Sequence, residues 1–362
     1  MVKLTLLMLV RNDESYLNQS IKSILNQSFP DFELICINLK NTENSLKLLS
    51  YYSNKDERMI IKQCQKDNLM DFLNGMIKKS NGEYIIILDS IISFYPTALD
   101  EIYRNLVEKS VDLLMFHPSS SNNQINNNMK YLSRITGNNK FNYEKIIEIL
   151  FDINDSLCNM VFKKSFLTKN NIAFNTAVVN GFDEFFYNAV LNADNIFYLN
   201  HKFYETFNLG ESNKDLVSFT DYLNGQNNIV NLFSQKNILI NEVNNNKISK
   251  LSIAFEQLGY DIKKQAYSIL REDFLDIISS ENAEKFCMTL NKENRKIFEQ
   301  IIISETVEEY DLLKKINEDK KRVYFMGRYD KILNSERLKI KNFNDSLVTS
   351  NSWKLTKIFR LK

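Results

Sequence analysis

Turn-forming residues are scarce in this chain of 362 residues, which holds only 8 Gly and 3 Pro. That shortage argues against repeats rich in turns and for long helices joined by Asn-rich loops. Cysteine is sparse as well: Cys36, Cys64, Cys158 and Cys287 show no C-x-x-C spacing, and Cys36 falls inside an apolar run. Buried free thiols in a reducing compartment are expected, not disulfides or a zinc site. Charge of one sign is missing too. A formal net charge of +1 supplies no field for non-specific nucleic-acid binding, so no nucleic acid is expected as a partner. No run approaches the ~18 apolar residues of a membrane span. The first residues enter a strand pattern directly, so a cytoplasmic chain without a cleaved leader is expected. G-x-G-x-x-G is absent after the first strand and the P-loop pattern is absent throughout, which counts against a dinucleotide-dependent oxidoreductase. The 2 histidines are His117 and His201. His117, just before Pro118, reads as structural. His201 with Lys202 reads as a solvated loop pair, with a cationic role near phosphate as the alternative.

What is present is an alternation of apolar runs and helical patterns in an ordinary composition, 44% hydrophobic and 25% charged. Leu4–Val10, Glu33–Asn38, Tyr84–Asp89 and Val111–Phe116 are near-continuous apolar runs, as strands buried on both faces of a parallel sheet should be. Between them Leu17, Ile21, Ile24 and Leu25 recur at helical spacing, with Asn12 or Asp13 as N-cap and Pro30 as the stop. Asn68–Ser80 places Leu69, Phe72, Leu73, Met76 and Ile77 on one face. The spacing predicts an α/β fold: a doubly wound, mostly parallel sheet with right-handed crossovers. Ligands of such sheets sit at the carboxyl ends of the strands, where strand order reverses. Arg11-Asn12, the segment after Asn38, and Asp89 should therefore surround one crevice. The polar tract Ser119–Asn128 reads as a surface loop. A further helix is expected from Gly181-Phe182-Asp183-Glu184 to about Leu191, followed by a strand at Ile196–Leu199. From about Ser218 the pattern turns helical, with Ile248, Leu251, Phe255 and Leu258 on one stripe and Asn244-Asn245-Asn246 as a loop.

Several motifs carry a resemblance. Ser23-Ile24-Leu25-Asn26-Gln27-Ser28-Phe29 followed by Asp31-Phe32-Glu33 is close to the S-I-L-N-Q-T-F-x-D-F-E pattern of family 2 glycosyltransferases. Leu4–Asn12 is similar to that family's first strand and P-x-Y-N turn, with Leu9 and Arg11 at the Pro and Tyr positions and Asn12 kept. The D-D-G-S-T-D-x-S motif falls on Asn38 through Ser45, R-N-x-G on Leu73-Asn74-Gly75-Met76, and D-S-D-D on Asp89-Ser90-Ile91-Ile92. Cys158-Asn159-Met160-Val161-Phe162-Lys163-Lys164 resembles W-N-K-L-Y-K-R, and Gly181-Phe182-Asp183-Glu184 resembles G-E-D-E. Phe207 stands where an Arg usually approaches phosphate.

The resemblance implies a glycosyltransferase-A-type domain over residues 1–212 and a helical C-terminal module over 213–362. It implies inverting transfer of a sugar from a nucleotide-sugar donor to a hydroxyl of a glycan or lipid-linked acceptor in cell-envelope synthesis. Asn12, Asn38, Asn74 and Asp89 would bind the nucleotide, Lys163 and Lys164 would face the diphosphate or acceptor, and Asp183 would be the general base. A carboxylate beside Phe182, Phe185 and Phe186 should hold its proton more tightly, as a base requires. The bland alternative is that Asp183 caps its helix. The family's cofactor is Mg²⁺ or Mn²⁺, with Asp89 as its ligand here. Hard cations take oxygen ligands, however, and Ile91 and Ile92 offer none. A catalytically silent module that binds glycan or scaffolds an enzyme is therefore the competing expectation. Ser352-Trp353-Lys354-Leu355-Thr356-Lys357-Ile358-Phe359-Arg360 resembles the S-W-R-x-T-x-P-L-R tail of surface-polysaccharide glycosyltransferases. That tail would be either a peripheral contact with the inner membrane face or a docked peptide.

Overall fold

The computed structural model describes the chain except residues 11–13, 40–41, 66–67, 120–122, 154–156, 179–180, 208–215, 280–287 and 319–362. Asn12, Cys287 and the Trp353 tail thus lie outside the described residues. Two compact units emerge, Met1–Glu211 and Ser212–Lys362.

The first unit is built on a seven-stranded sheet of order β3-β2-β1-β4-β7-β6-β8. Its strands are β1 (Leu4–Val10), β2 (Phe32–Asn38), β3 (Met59–Gln63), β4 (Tyr84–Asp89), β6 (Leu113–Phe116), β7 (Met160–Lys163) and β8 (Ile196–Leu199). All pairings are parallel except those of β7, which runs against both β4 and β6. Every residue of β1 and β2 is buried, the physical reason these segments read as unbroken apolar runs. A separate ribbon pairs β5 (Ile92–Phe94) with β9 (Tyr204–Thr206). Strand order reverses between β1 and its two neighbours, so the crevice lies above the carboxyl ends of β2, β1 and β4.

Helix α1 (Glu14–Leu25) lays Leu17, Ile21 and Ile24 into the core, where each is fully buried. Burial of such side chains stabilises by about 2 kcal/mol apiece. Helix α2 (Glu43–Ser53) starts at Thr42, whose hydroxyl accepts from Ser45 N at 3.3 Å. Helices α3 (Leu69–Lys79) and α4 (Ala98–Lys109) follow, each with one buried face. The tract expected as a loop at Ser119–Asn128 instead opens α5 (Asn123–Thr136). Its apolar anchors, Met129 and Leu132, lie beyond the polar run, and Asn128 Nδ2 donates to Asp152 O at 2.9 Å. Helices α6 (Lys164–Lys169) and α7 (Phe182–Asn192) complete the unit.

At the amino edge of the sheet a buried carboxylate joins three segments. Glu33 Oε1 accepts from Thr5 Oγ1 and Asn81 N, both at 2.6 Å, and Oε2 accepts from Asn81 Nδ2 at 2.9 Å. Thr5 Oγ1 in turn accepts from Gly82 N at 3.0 Å. Glycine is required there because a Cβ would lie 2.5 Å from Thr5 N.

The second unit consists of α8 (Leu216–Lys236), α9 (Ile240–Glu256), α10 (Tyr260–Ser279), α11 (Lys292–Ile303) and α12 (Val307–Glu318). Its core gathers Phe219, Ile248, Leu251, Phe255, Leu270 and Phe274 with Phe298 and Ile301. Asn244-Asn245-Asn246 lies inside α9 and is not a loop. Tertiary hydrogen bonds override the poor helix propensity of Asn here: Asn245 Nδ2 donates to Thr289 O at 2.9 Å, and Asn294 Nδ2 donates to Asn245 Oδ1 at 2.8 Å. A buried ion pair joins Lys247 to Asp273 at 2.6 Å. Among the described residues no helix is long and apolar enough to cross a membrane. Cys36, Cys64 and Cys158 are free thiols, and burial pushes Cys36 up to about 12.

The glycine at the amino edge makes a direct test. Gly82→Ala should cost about 2–3 kcal/mol of unfolding free energy through overpacking against rigid backbone, read by urea denaturation. A loss below ~0.5 kcal/mol, the scale of neutral surface changes, would refute the close approach.

Candidate active site

The motif shared by α1 and the segment after it acts through buried hydrogen bonds to the chain that follows β4. Ser20 Oγ donates to Ser90 O at 2.6 Å, and Ser23 Oγ accepts from Phe94 N at 3.0 Å. Gln27 holds both ends of one turn: its Nε2 donates to Tyr95 O at 2.7 Å and its Oε1 accepts from Leu99 N at 3.0 Å. Ser28 N donates to Pro96 O at 3.1 Å. Ser20 and Gln27 are buried, so losing either partner would strand a polar group at ~1–3 kcal/mol. One helix thereby fixes the strap 90–99 and the position of Asp89 at its start.

Asn38 and Asp89 stand at the carboxyl ends of β2 and β4, on either side of β1. The registers Val10↔Asn38 and Leu9↔Asp89 make them nearly level, roughly 10 Å apart at two strand spacings. Asn38 is fully buried, and its Nδ2 donates to Gln63 Oε1 at 3.0 Å. Asp89 is half-buried, with Ser90 Oγ 3.5 Å from its Oδ1.

Asp183 belongs to the same edge. Helix α7 hands the chain to β8, which is parallel to β6 and hence to β4. An 11-residue helix spans about 16 Å, so α7 returns from the carboxyl edge to the start of β8. The N-cap is Gly181, which makes no side-chain cap bond, and Asp183 is the second residue of the helix. The capping role considered for Asp183 is therefore taken by another residue. Glu184 accepts from Asn175 Nδ2 at 3.1 Å. Phe185 and Phe186 face the core, whereas Phe182 is half-buried.

Lys163 and Lys164 lie elsewhere. Because β7 runs antiparallel, Lys163 pairs with Tyr84 at the start of β4, about 17 Å of strand from Asp89. Lys164 Nζ donates to Ser80 O at 2.6 Å, closing the C-terminus of α3. The topology thus places both lysines at the amino edge, away from Asp89. Asn74, expected beside the nucleotide, holds the backbone of Phe174 with both ends of its amide. Its Oδ1 accepts from Phe174 N at 2.8 Å and its Nδ2 donates to Phe174 O at 2.9 Å.

The reversal of β7 brings forward a residue that motif reading passed over. The 3₁₀ turn Leu157–Asn159 lies at the carboxyl edge, and Asn159 Nδ2 donates to Phe116 O at 2.9 Å. Asn159 Oδ1 is buried without a hydrogen-bond partner among the described residues. The signal was the Asn of the W-N-K-L-Y-K-R resemblance, overshadowed by the trailing lysines. Tyr16 was also missed. Its ring stacks on Phe207 at 4.6 Å and 7°, while Phe207 N donates to Ile91 O at 2.9 Å. His117 is buried with Nδ1 2.9 Å from Pro118 O, and desolvation lowers its proton affinity; His201 is exposed.

These residues do not fit a preformed divalent-cation site. Ile92 is 1% exposed and packs in the core, and Ile91 carries no donor side chain. Asp89 is the one carboxylate of the Asp89–Ile92 segment, and among the described residues no group of three His, Cys, Asp or Glu converges. Mg²⁺ is usually held by one or two carboxylates together with substrate phosphates.

A mostly parallel sheet with one reversed strand, and a carboxylate at the end of the strand beside the switch point, define an α/β domain whose candidate site lies at the carboxyl edge. The glycosyl transferase family 2 model matches residues 5–168, so the first unit of the chain resembles a family 2 glycosyltransferase domain. A poly(ribitol-phosphate) beta-glucosyltransferase of Bacillus spizizenii is 31% identical over 93 residues, 25% of this chain and 15% of that protein. The O-antigen biosynthesis glycosyltransferase WbnJ of Escherichia coli is 28% identical over 169 residues, 46% of this chain and 63% of that one. The chain covers only 15%, 16% and 19% of the length of three of its curated relatives. The fold matches S. aureus TarS 1–349 in complex with UDP-GlcNAc, with TM-score 0.65 and 16% identity over 89% of this chain and 93% of that one.

The cation prediction follows from the donor set. Calorimetric titration with UDP should show an affinity changed less than ~3-fold by Mn²⁺, since one carboxylate adds little to what phosphate oxygens already offer the ion. A gain above ~10-fold that disappears in Asp89→Ala would show that Asp89 recruits the ion.

Proposed function

We propose that the chain transfers a sugar, with inversion, from a nucleotide-sugar donor to a hydroxyl of a cell-envelope glycan. The observation that carries this reading is the convergence of Asn38, Asp89 and Asp183 on one edge of the sheet. Asn38 and Asp89 contact the nucleoside. Asp183 accepts the proton of the acceptor hydroxyl while that oxygen bonds to the anomeric carbon and the nucleoside diphosphate leaves with the bonding pair. Relatives named as a poly(ribitol-phosphate) beta-glucosyltransferase and an O-antigen biosynthesis glycosyltransferase support the substrate class, and a TarS complex containing UDP-GlcNAc supports a uridine nucleotide as the first probe. Cytoplasmic work on a glycan or lipid-linked acceptor is consistent with this chemistry, and a peripheral membrane contact through the Trp353 tail belongs to the same proposal.

A second reading, a catalytically silent module that binds glycan or scaffolds an enzyme, draws on two observations. Ile92 fills the core where the family places a carboxylate, and Lys163 and Lys164 serve the opposite edge.

Asp183→Asn separates the two. With UDP-GlcNAc as probe donor and UDP release as readout, the proposal predicts at least a ~100-fold loss of turnover. UDP affinity should stay within ~2-fold, because proton transfer matters only in the chemical step. Folding is preserved because the helix is capped by Gly181. Turnover equal to that of the unmodified chain would overturn the assignment of the base.

A further inference from the structure

We propose that Asn74 is a positioning residue that sets the amino end of α7, and with it Asp183, by holding Phe174. This inference rests on the reading of Asp183 as the base.

Six contacts link α3 and the Phe174-Asn175 segment to the start of α7. The two amide bonds at 2.8 and 2.9 Å fix Phe174 N and O at once, which leaves that residue little freedom to rotate or slide. The ring of Phe174, 3% exposed, stacks on Phe185 at 4.1 Å and 13° and meets Phe182 edge-on at 5.5 Å and 74°. Phe182 and Phe185, three apart, share one face of α7, so Phe174 packs against the turn that carries Asp183. The next residue, Asn175, donates from Nδ2 to Glu184 at 3.1 Å. One turn before Asn74 on α3, Met70 Sδ accepts from Gly181 N at 3.4 Å. A Cβ on Gly181 would lie 3.4 Å from Met70 Sδ, ordinary contact distance, so the N-cap sits close to α3.

Gly181 provides no side-chain cap at the amino end of α7. Displacement of a catalytic group by ~1 Å can cost ~100-fold in rate. A clamp on α3, 100 residues away in sequence, therefore has leverage over the transfer step without touching donor or acceptor.

Asn74→Ala removes both bonds; Asn74→Asp keeps the acceptor for Phe174 N and removes the donor to Phe174 O. Three quantities are measured on the full chain: hydrogen exchange of the 174–188 amides, UDP affinity by calorimetry, and UDP release from UDP-GlcNAc. For Asn74→Ala we expect about 10-fold faster exchange at residues 182–186, two lost hydrogen bonds being ample for that. UDP affinity should stay within ~2-fold, and turnover should fall at least ~10-fold. Asn74→Asp should fall between this variant and the unmodified chain, and it carries the test if Asn74→Ala fails to fold. In an Asp183→Asn background, Asn74→Ala should leave the residual rate within ~2-fold, the non-additivity of groups that act as a unit. Loss of UDP affinity by ~10-fold with unchanged exchange at α7 would make Asn74 a nucleotide ligand and overturn the inference while leaving the base intact. Full turnover in Asp183→Asn alone would overturn the proposed function, and this inference with it.

Discussion

Helix α1 reaches across to the backbone that follows β4, and the geometry of the carboxyl edge depends on that reach. Ser20 and Ser23 of the helix, with Gln27 just beyond its end, hold Ser90, Phe94, Tyr95 and Leu99. Each bond contributes about 1 kcal/mol net, yet together they convert an exposed crossing of the sheet into a fixed strap. Asp89 begins that strap, Ile92 and Phe94 pack beneath it, and β5 pairs with β9 alongside it. A matching device works at the amino edge, where Glu33 gathers Thr5, Asn81 and, through Thr5, Gly82.

These two networks explain which motif residues are present and which are replaced. Ser23, Gln27, Glu33 and Gly82 satisfy buried backbone groups or fit a space with no room for a side chain, so the fold needs them whatever the chemistry. The positions given to Leu39, Ile91, Ile92 and Phe207 lie where a ligand's charge would otherwise be met. Ile92 improves the core and Phe207 gains a stacked partner in Tyr16. Among the described residues the Asp89–Ile92 segment keeps one carboxylate, Asp89, and α7 carries Asp183 and Glu184 in its first turn.

Strands were legible because burial on both faces leaves an apolar run: Leu4–Val10, Tyr84–Asp89 and Ile196–Leu199 begin and end as the sequence indicates. The edge strand β3 was not, since solvent on one side permits Lys62 and Gln63 within it. Two Asn tracts were misread as loops because their helices are stabilised by partners distant in sequence, Asp152 for Asn128 and Thr289 and Asn294 for Asn245. The direction of β7 is also silent in its composition, for Met-Val-Phe-Lys reads alike either way. The antiparallel pairing is what places Lys163 and Lys164 at the amino edge and Asn159 at the carboxyl edge. Asn74 was recognisable as a motif residue, but its partner Phe174 is a matter of topology.

The central claim is that α1 holds the strap that sets Asp89. Hydrogen exchange of residues 90–99 in Gln27→Ala tests it most directly. The account predicts that the amides of Ser90, Phe94 and Leu99 exchange at least ~10-fold faster while those of β1 and β2 keep their protection, because local opening is decoupled from the sheet. Unchanged exchange across 90–99, or an equal rise throughout the first unit, would contradict it.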